Sequence, residues 1–143
     1  MYDVRLKPCS RTNVEYKEIR DNGRTVILSH YPIFCYKGQY RKDKEGKPLT
    51  YMMYGHVHNT HDENLINRFI METRVTLARS RHSDQPEPIP CHMINCFCMF
   101  SDYQPMTLDE WIVIDHKRRA GGNDYADRRS GNYENPAGDA ENR

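Results

Sequence analysis

Apolar residues stop abruptly before this chain does. From Lys117 to Arg143 there is no Leu, Ile, Val, Met, Phe, Trp or Cys, and half of the eight glycines fall in that stretch beside Asn, Asp and Arg. A segment of this kind buries too little apolar surface to offset the entropy of ordering it, so 117–143 reads as a disordered polar tail. Its six basic and five acidic residues nearly cancel, which points to a solvated extension. Residues 1–13 read as an irregular lead-in. The foldable part is therefore 14–116, well short of the 143 residues present.

Charge and cysteine usage narrow the class further. Lys and Arg total 21 against 20 Asp and Glu, a net +1, which supplies no electrostatic footprint for nucleic acid or for an anionic membrane surface. No apolar run approaches the ~20 residues of a bilayer span, and no basic-then-apolar leader is present. A soluble, cytoplasmic chain is the expectation. The five cysteines (Cys9, Cys35, Cys91, Cys96, Cys98) are odd in number and come without a secretory signal, against a disulfide framework. Cys91-x4-Cys96-x-Cys98 lacks the C-x2-C pairing of a zinc knuckle. Placing Cys96 and Cys98 on one strand face, with Cys91 beyond its start, favours buried thiols over a zinc staple.

Hydrophobic periodicity divides the foldable part into strand, strand, strand, helix, strand, helix, an α/β order. Val14–Ile19 and Thr25–Leu28 flank Asp21-Asn22-Gly23-Arg24, the Asn-Gly hairpin signal. Tyr31 to about Pro48 is a loop rich in lysine, and Leu49–Tyr54 is a short buried strand. Leu65, Ile66, Phe69, Ile70 and Leu77 recur at helical spacing, leaving Glu72, Arg74 and Arg79 towards water. Thr60 and Glu63 form a capping-box signature that starts this helix just beyond His58. Asp84–Pro90 breaks the pattern, Met93–Met99 is a further strand, and Thr107 with Glu110 caps a short helix carrying Leu108, Trp111, Ile112 and Ile114.

Three of the seven histidines occupy diagnostic places. His30 follows a buried strand in Leu28-Ser29-His30-Tyr31-Pro32. His56 and His58 end the next strand in Gly55-His56-Val57-His58, ahead of a capped helix. The ends of parallel strands are where α/β sheets gather ligands. In an extended segment i and i+2 face one way, so His56 and His58 are expected to address one site. Gly55 beside them would permit close backbone approach or an unusual dihedral. Neutral imidazoles suit zinc, iron, manganese or nickel better than calcium or magnesium. His61, His82, His92 and His116 read as structural or surface residues.

These motifs resemble the calcineurin-like metallophosphoesterases. Ser29-His30-Tyr31-Pro32 is similar to that family's histidine motif, and Gly55-His56-Val57-His58 to its closing Gly-His-x-His motif. Met93-Ile94-Asn95-Cys96-Phe97-Cys98-Met99, followed by Tyr103-Gln104-Pro105-Met106-Thr107-Leu108-Asp109-Glu110, resembles the strand and Tyr-x-Pro-x-(Thr/Ser)-Leu-Asp-Glu ending of bacterial and phage members. The likeness runs from about Val14 to Ile114. It implies part of a β-sandwich flanked by helices and a metal-dependent hydrolase of phosphate esters. His30 and His56 would share one divalent ion, of Mn, Fe, Zn or Ni, and His58 would bind the other.

The family's Asp-x-His, Gly-Asp-x-x-(Asp/His) and Gly-Asn-His-(Asp/Glu) motifs are absent. The expectation is thus the carboxy-terminal half of such a domain, weakly active or inactive alone. Two divalent ions on three neutral imidazoles repel strongly without a bridging carboxylate, so at most one ion is expected here. A non-catalytic metal- or protein-binding module is the alternative, and a zinc staple on Cys91, Cys96 or Cys98 a third. Half of a sandwich exposes strand edges, so self-association is expected.

Overall fold

The computed structural model describes residues 16–79 and 84–121. The lead-in 1–13, Val14, Cys9, His82 and the tail beyond Gly121 lie outside the described residues.

The Asn-Gly signal folds as the sequence predicts. Asn22 (φ 47°) and Gly23 (φ 80°) both lie in the left-handed region, the requirement of a two-residue hairpin turn whose twist matches its strands. The turn joins β1 (Tyr16–Asp21) to β2 (Arg24–Ser29), antiparallel with Tyr16 opposite Ser29 and Asp21 opposite Arg24. β3 (Thr50–Tyr54) lies parallel to β2, and β6 (Met93–Asn95) lies parallel to β3. The sheet order is β1-β2-β3-β6, and the crossover from β3 to β6 carries α1 (His61–Val75). A two-stranded ribbon of β4 (Leu77–Ala78) and β5 (Glu87–Pro88) precedes β6, and α2 (Leu108–Ala120) closes the described chain.

The alternation of side chains along the strands places one helix on each face. Ile27, Met52 and Met93 form one register row and pack with Tyr54 against Ile66 and Ile70 of α1. Val26 and Ile94 face the other way and pack against Leu108 and Trp111 of α2. Residues such as Ile27 and Met52 are completely buried, each worth ~1.5–3 kcal/mol relative to exposure. The result is a mixed α/β domain of three layers. No helix among the described residues is long and apolar enough to cross a membrane.

Several boundaries differ from expectation, each for a visible reason. The buried stripe of α1 runs through Ile66 and Ile70; the next residue on it is the exposed Arg74, so a longer helix buries nothing more. Leu77 accordingly lies in β4 and is exposed, as is Leu65 on the outer face of α1. The Thr60–Glu63 capping box does not form. Thr60 is the N-cap by backbone, but its hydroxyl donates to the Val57 carbonyl (2.7 Å), and Glu63 is buried with Arg118 (2.7 Å). The Thr107–Glu110 box does form, with Glu110 Oε2 accepting from the Thr107 N–H at 2.7 Å.

Strand β6 stops at Asn95, because the Asn95 side chain accepts from the Phe97 N–H (3.1 Å) and turns the chain into a 3-10 segment, Cys98–Ser101. Cys96 and Cys98 therefore do not share a strand face. The last helix continues to Ala120, into the stretch read as tail. What orders it is ionic rather than apolar. Arg118 pairs with Glu63 and lies over the Phe100 ring, 3.4 Å from its centroid. Arg119 pairs with Asp115 (2.8 Å), bonds Asn67 of α1, and donates to the Met93 carbonyl (3.1 Å).

Candidate metal centre

The hydrogen-bond ladder between β2 and β3 runs one step past both strands. The His30 carbonyl accepts from the N–H groups of His56 (2.9 Å) and Gly55 (3.3 Å). That backbone pairing carries two exposed imidazoles to the carboxyl ends of adjacent parallel strands. His30 Nε2 and His56 Nδ1 stand 2.9 Å apart, with ring centroids 4.8 Å apart and the rings inclined at 69°. Tyr31 packs against both, edge-on to His30 (4.9 Å) and tilted over His56 (4.4 Å). Its N–H donates to Ser29 Oγ (3.2 Å), which sets the bend after β2.

His58 takes a different course from the one strand alternation implies. Residues 56–59 form a turn, closed by the His58 N–H donating to the Gly55 carbonyl (3.3 Å), so the i and i+2 side chains are not held to one face. His58 adopts a left-handed conformation (φ 50°), and its ring lies flat on Phe97 at 4.5 Å with 19° between planes. Asn95, almost completely buried, holds both partners. Its Nδ2 donates to the His58 carbonyl (2.7 Å) while its Oδ1 accepts from the Phe97 N–H. In the sequence Asn95 and Phe97 read only as part of the Met93–Met99 strand, with no role at the site, although an amide at the end of a buried strand is a signal in itself, since it must find partners.

Gly55 is not required by its backbone. It lies outside the left-handed region, and an added Cβ would meet nothing nearer than the Cys96 carbonyl oxygen at 4.0 Å.

The remaining candidates lie apart. His61 is exposed at the first turn of α1. His92 is largely enclosed, its N–H donating to Tyr36 Oη (2.6 Å), and burial pushes its imidazole down to about 4, leaving it neutral. Cys91 packs in the α1 core, whereas Cys96 packs against the α2 core, on opposite faces of the sheet, and Cys98 is exposed. Burial pushes the Cys96 thiol up to about 12 and raises Cys91 as well, so both remain protonated. That separation removes the geometric basis for a zinc staple. In the basic loop, Lys37 pairs with Glu18, Lys42 with Glu87 and Lys47 with Glu45, which makes it a locally compensated charge run.

The His30 and His56 rings stand at hydrogen-bond distance, and both nitrogens are of a kind that can ligate a transition-metal ion. Two nitrogens each ~2.1 Å from one ion stand ~3.4 Å apart at the tetrahedral angle of zinc and ~3.0 Å apart at the right angle of an octahedral ion, so the 2.9 Å spacing is nearer the octahedral value. Among the described residues, no group of three or more His, Cys, Asp or Glu side chains is placed to hold one ion together. Comparison with known proteins gives no match to any family model, curated protein or solved structure.

Proposed function

We propose that this chain carries the imidazole half of a metal-dependent phosphate-ester hydrolase site, on part of a metallophosphoesterase-type sandwich. The observation that supports the reading is the 2.9 Å approach of His30 Nε2 to His56 Nδ1 at neighbouring parallel strand ends. The resemblance assigns those same two residues to one ion. A divalent ion bound there would polarise phosphoryl oxygens and lower the pKa of a bound water. His30 and His56 would hold it, Tyr31 would shield their outer side, and Asn95 with Phe97 would set the place of His58. Neutral imidazoles offset none of the charge of a second ion, so one ion per chain and negligible turnover are the expected state of this chain alone.

Calorimetric titration with manganese and zinc ions, alongside hydrolysis of an aryl phosphate, tests this. Uptake of one ion, lost in His30→Ala and in His56→Ala, is expected. Absence of uptake, or uptake unaffected by both changes, refutes the metal site. Turnover comparable to complete members of the resembled family refutes the incomplete-site part of the reading. A second reading, metal binding in a non-catalytic module, is favoured by the stacking of His58 on Phe97 rather than beside the pair. It predicts no gain of turnover when acidic ligands are supplied by a complementing polypeptide.

A further inference from the structure

An open cavity of about 430 Å³ lies beside His30, on the face of the sheet that α2 covers only in part. Its volume falls within the ~300–1,000 Å³ of small-molecule sites. Lys17 stands opposite Leu28, and Leu28 opposite Met53, so these three share one row and one face. Leu28, Met53 and Cys96 make an apolar floor, and the Cys96 thiol remains neutral there. Ser29, His30 and Gly55 form the wall towards the histidine pair. At the β1 end of the row, beside Leu28, stands the Lys17 ammonium. Its acidic strand neighbour Glu18 points to the other face and is taken by Lys37 and Tyr16, and Lys17 forms no ion pair among the described residues. Since neither backbone conformation nor packing demands glycine at 55, the room beside it is free for a ligand.

We propose that this cavity binds the organic group of the phosphate ester, and that the group is an aryl carboxylate. The inference rests on the phosphoesterase reading for its place beside His30. A flat ring matches the apolar floor of Leu28, Met53 and Cys96, and the Met53 and Cys96 sulfurs make favourable contacts with aromatic edges. A carboxylate on the ring pairs with Lys17 at the rim, the complementary charge.

The test is an NMR titration of the full chain with para-hydroxybenzoate and with its neutral isostere para-hydroxybenzamide. Both are expected to shift the Met53 methyl signal, with the benzoate binding about fivefold more tightly, the range of a partly exposed ion pair. Lys17→Met, on an exposed edge strand, is expected to equalise the two ligands, and Gly55→Val to weaken both. His56→Ala, outside the cavity, is expected to leave benzoate affinity within about twofold while abolishing metal uptake. Equal binding of the two ligands to the unaltered chain, a preference that survives Lys17→Met, or an unmoved Met53 methyl overturns the proposal. Absent metal uptake with intact benzoate binding would instead refute the phosphoesterase reading and leave an aryl-carboxylate site.

Discussion

Burying an amide costs free energy unless its donor and acceptor are both used, and at Asn95 both are. One side chain thereby fixes the His58 carbonyl and the Phe97 N–H, and with them the stacking of one ring on the other. Asn95→Leu removes both bonds at similar volume and is expected to cost about 1–3 kcal/mol in urea denaturation. Loss of the ring-current shift on the His58 imidazole protons should accompany it. Phe97→Leu should remove the same shift while leaving the clamp. If His58 keeps its shift in Asn95→Leu, the clamp is not what positions it. His30 and His56 depend on no such side chain, because the backbone ladder past β2 and β3 brings them together.

At the scale of elements, the outer edge of β6 is the informative place. The His92 carbonyl and the Cys96 N–H serve the ladder to β3, which leaves the Met93 carbonyl on the opposite edge. Arg119 occupies that edge, bonding Met93, Asn67 and Asp115 at once, so it joins β6, α1 and α2. Its side chain is 17% exposed and that of Asp115 9%, so removing the cation strands a largely buried carboxylate. Arg119→Ala is expected to lower unfolding free energy by about 3 kcal/mol, measured by chemical denaturation. A change below ~0.5 kcal/mol, as for an ordinary surface position, would show that the edge needs no such closure. Composition pointed away from order at Lys117 because it counts apolar area. It does not register that Arg118 has a buried acid waiting on α1 and that Arg119 has one a turn earlier on its own helix and further partners on α1 and β6.

For the whole molecule, acid sensitivity and association follow from how the layers close. Burial, reinforced by Arg74, Lys42 and His116, lowers His92 from 6.5 to about 4. Between those values the unfolded chain binds a proton that the folded chain refuses, so stability is expected to fall as pH drops from 6.5 towards 4. His92→Gln should flatten that part of the curve, as read by urea midpoints across the interval; an unchanged slope would mean His92 is not its source. With the β6 edge closed by Arg119, the unpaired edge of the four-stranded sheet among the described residues belongs to β1, where Tyr16 and Ile19 are 42% and 37% exposed. Light scattering is expected to show association of the purified chain that Ile19→Lys reduces. A monomer at all concentrations would argue against an exposed pairing edge.

Much of the order of elements was legible in the sequence, because it depends on local chemistry. The Asn22-Gly23 turn needs two left-handed residues, the Thr107–Glu110 box needs only its own first turn, and the near-continuous apolar runs of Thr25–Leu28 and Leu49–Tyr54 mark strands buried on two faces. The pairing of His30 with His56 was legible only as a resemblance. Tertiary structure decided the rest. Glu63 forsakes its cap for Arg118, His58 turns onto Phe97 under the hold of Asn95, and α2 extends to Ala120 on ion pairs. His58 and Glu63 are decided by partners 37 and 55 residues away, and the end of α2 by Glu63, Asn67 and Met93 on other elements, about which propensities that act over a few residues carry no information.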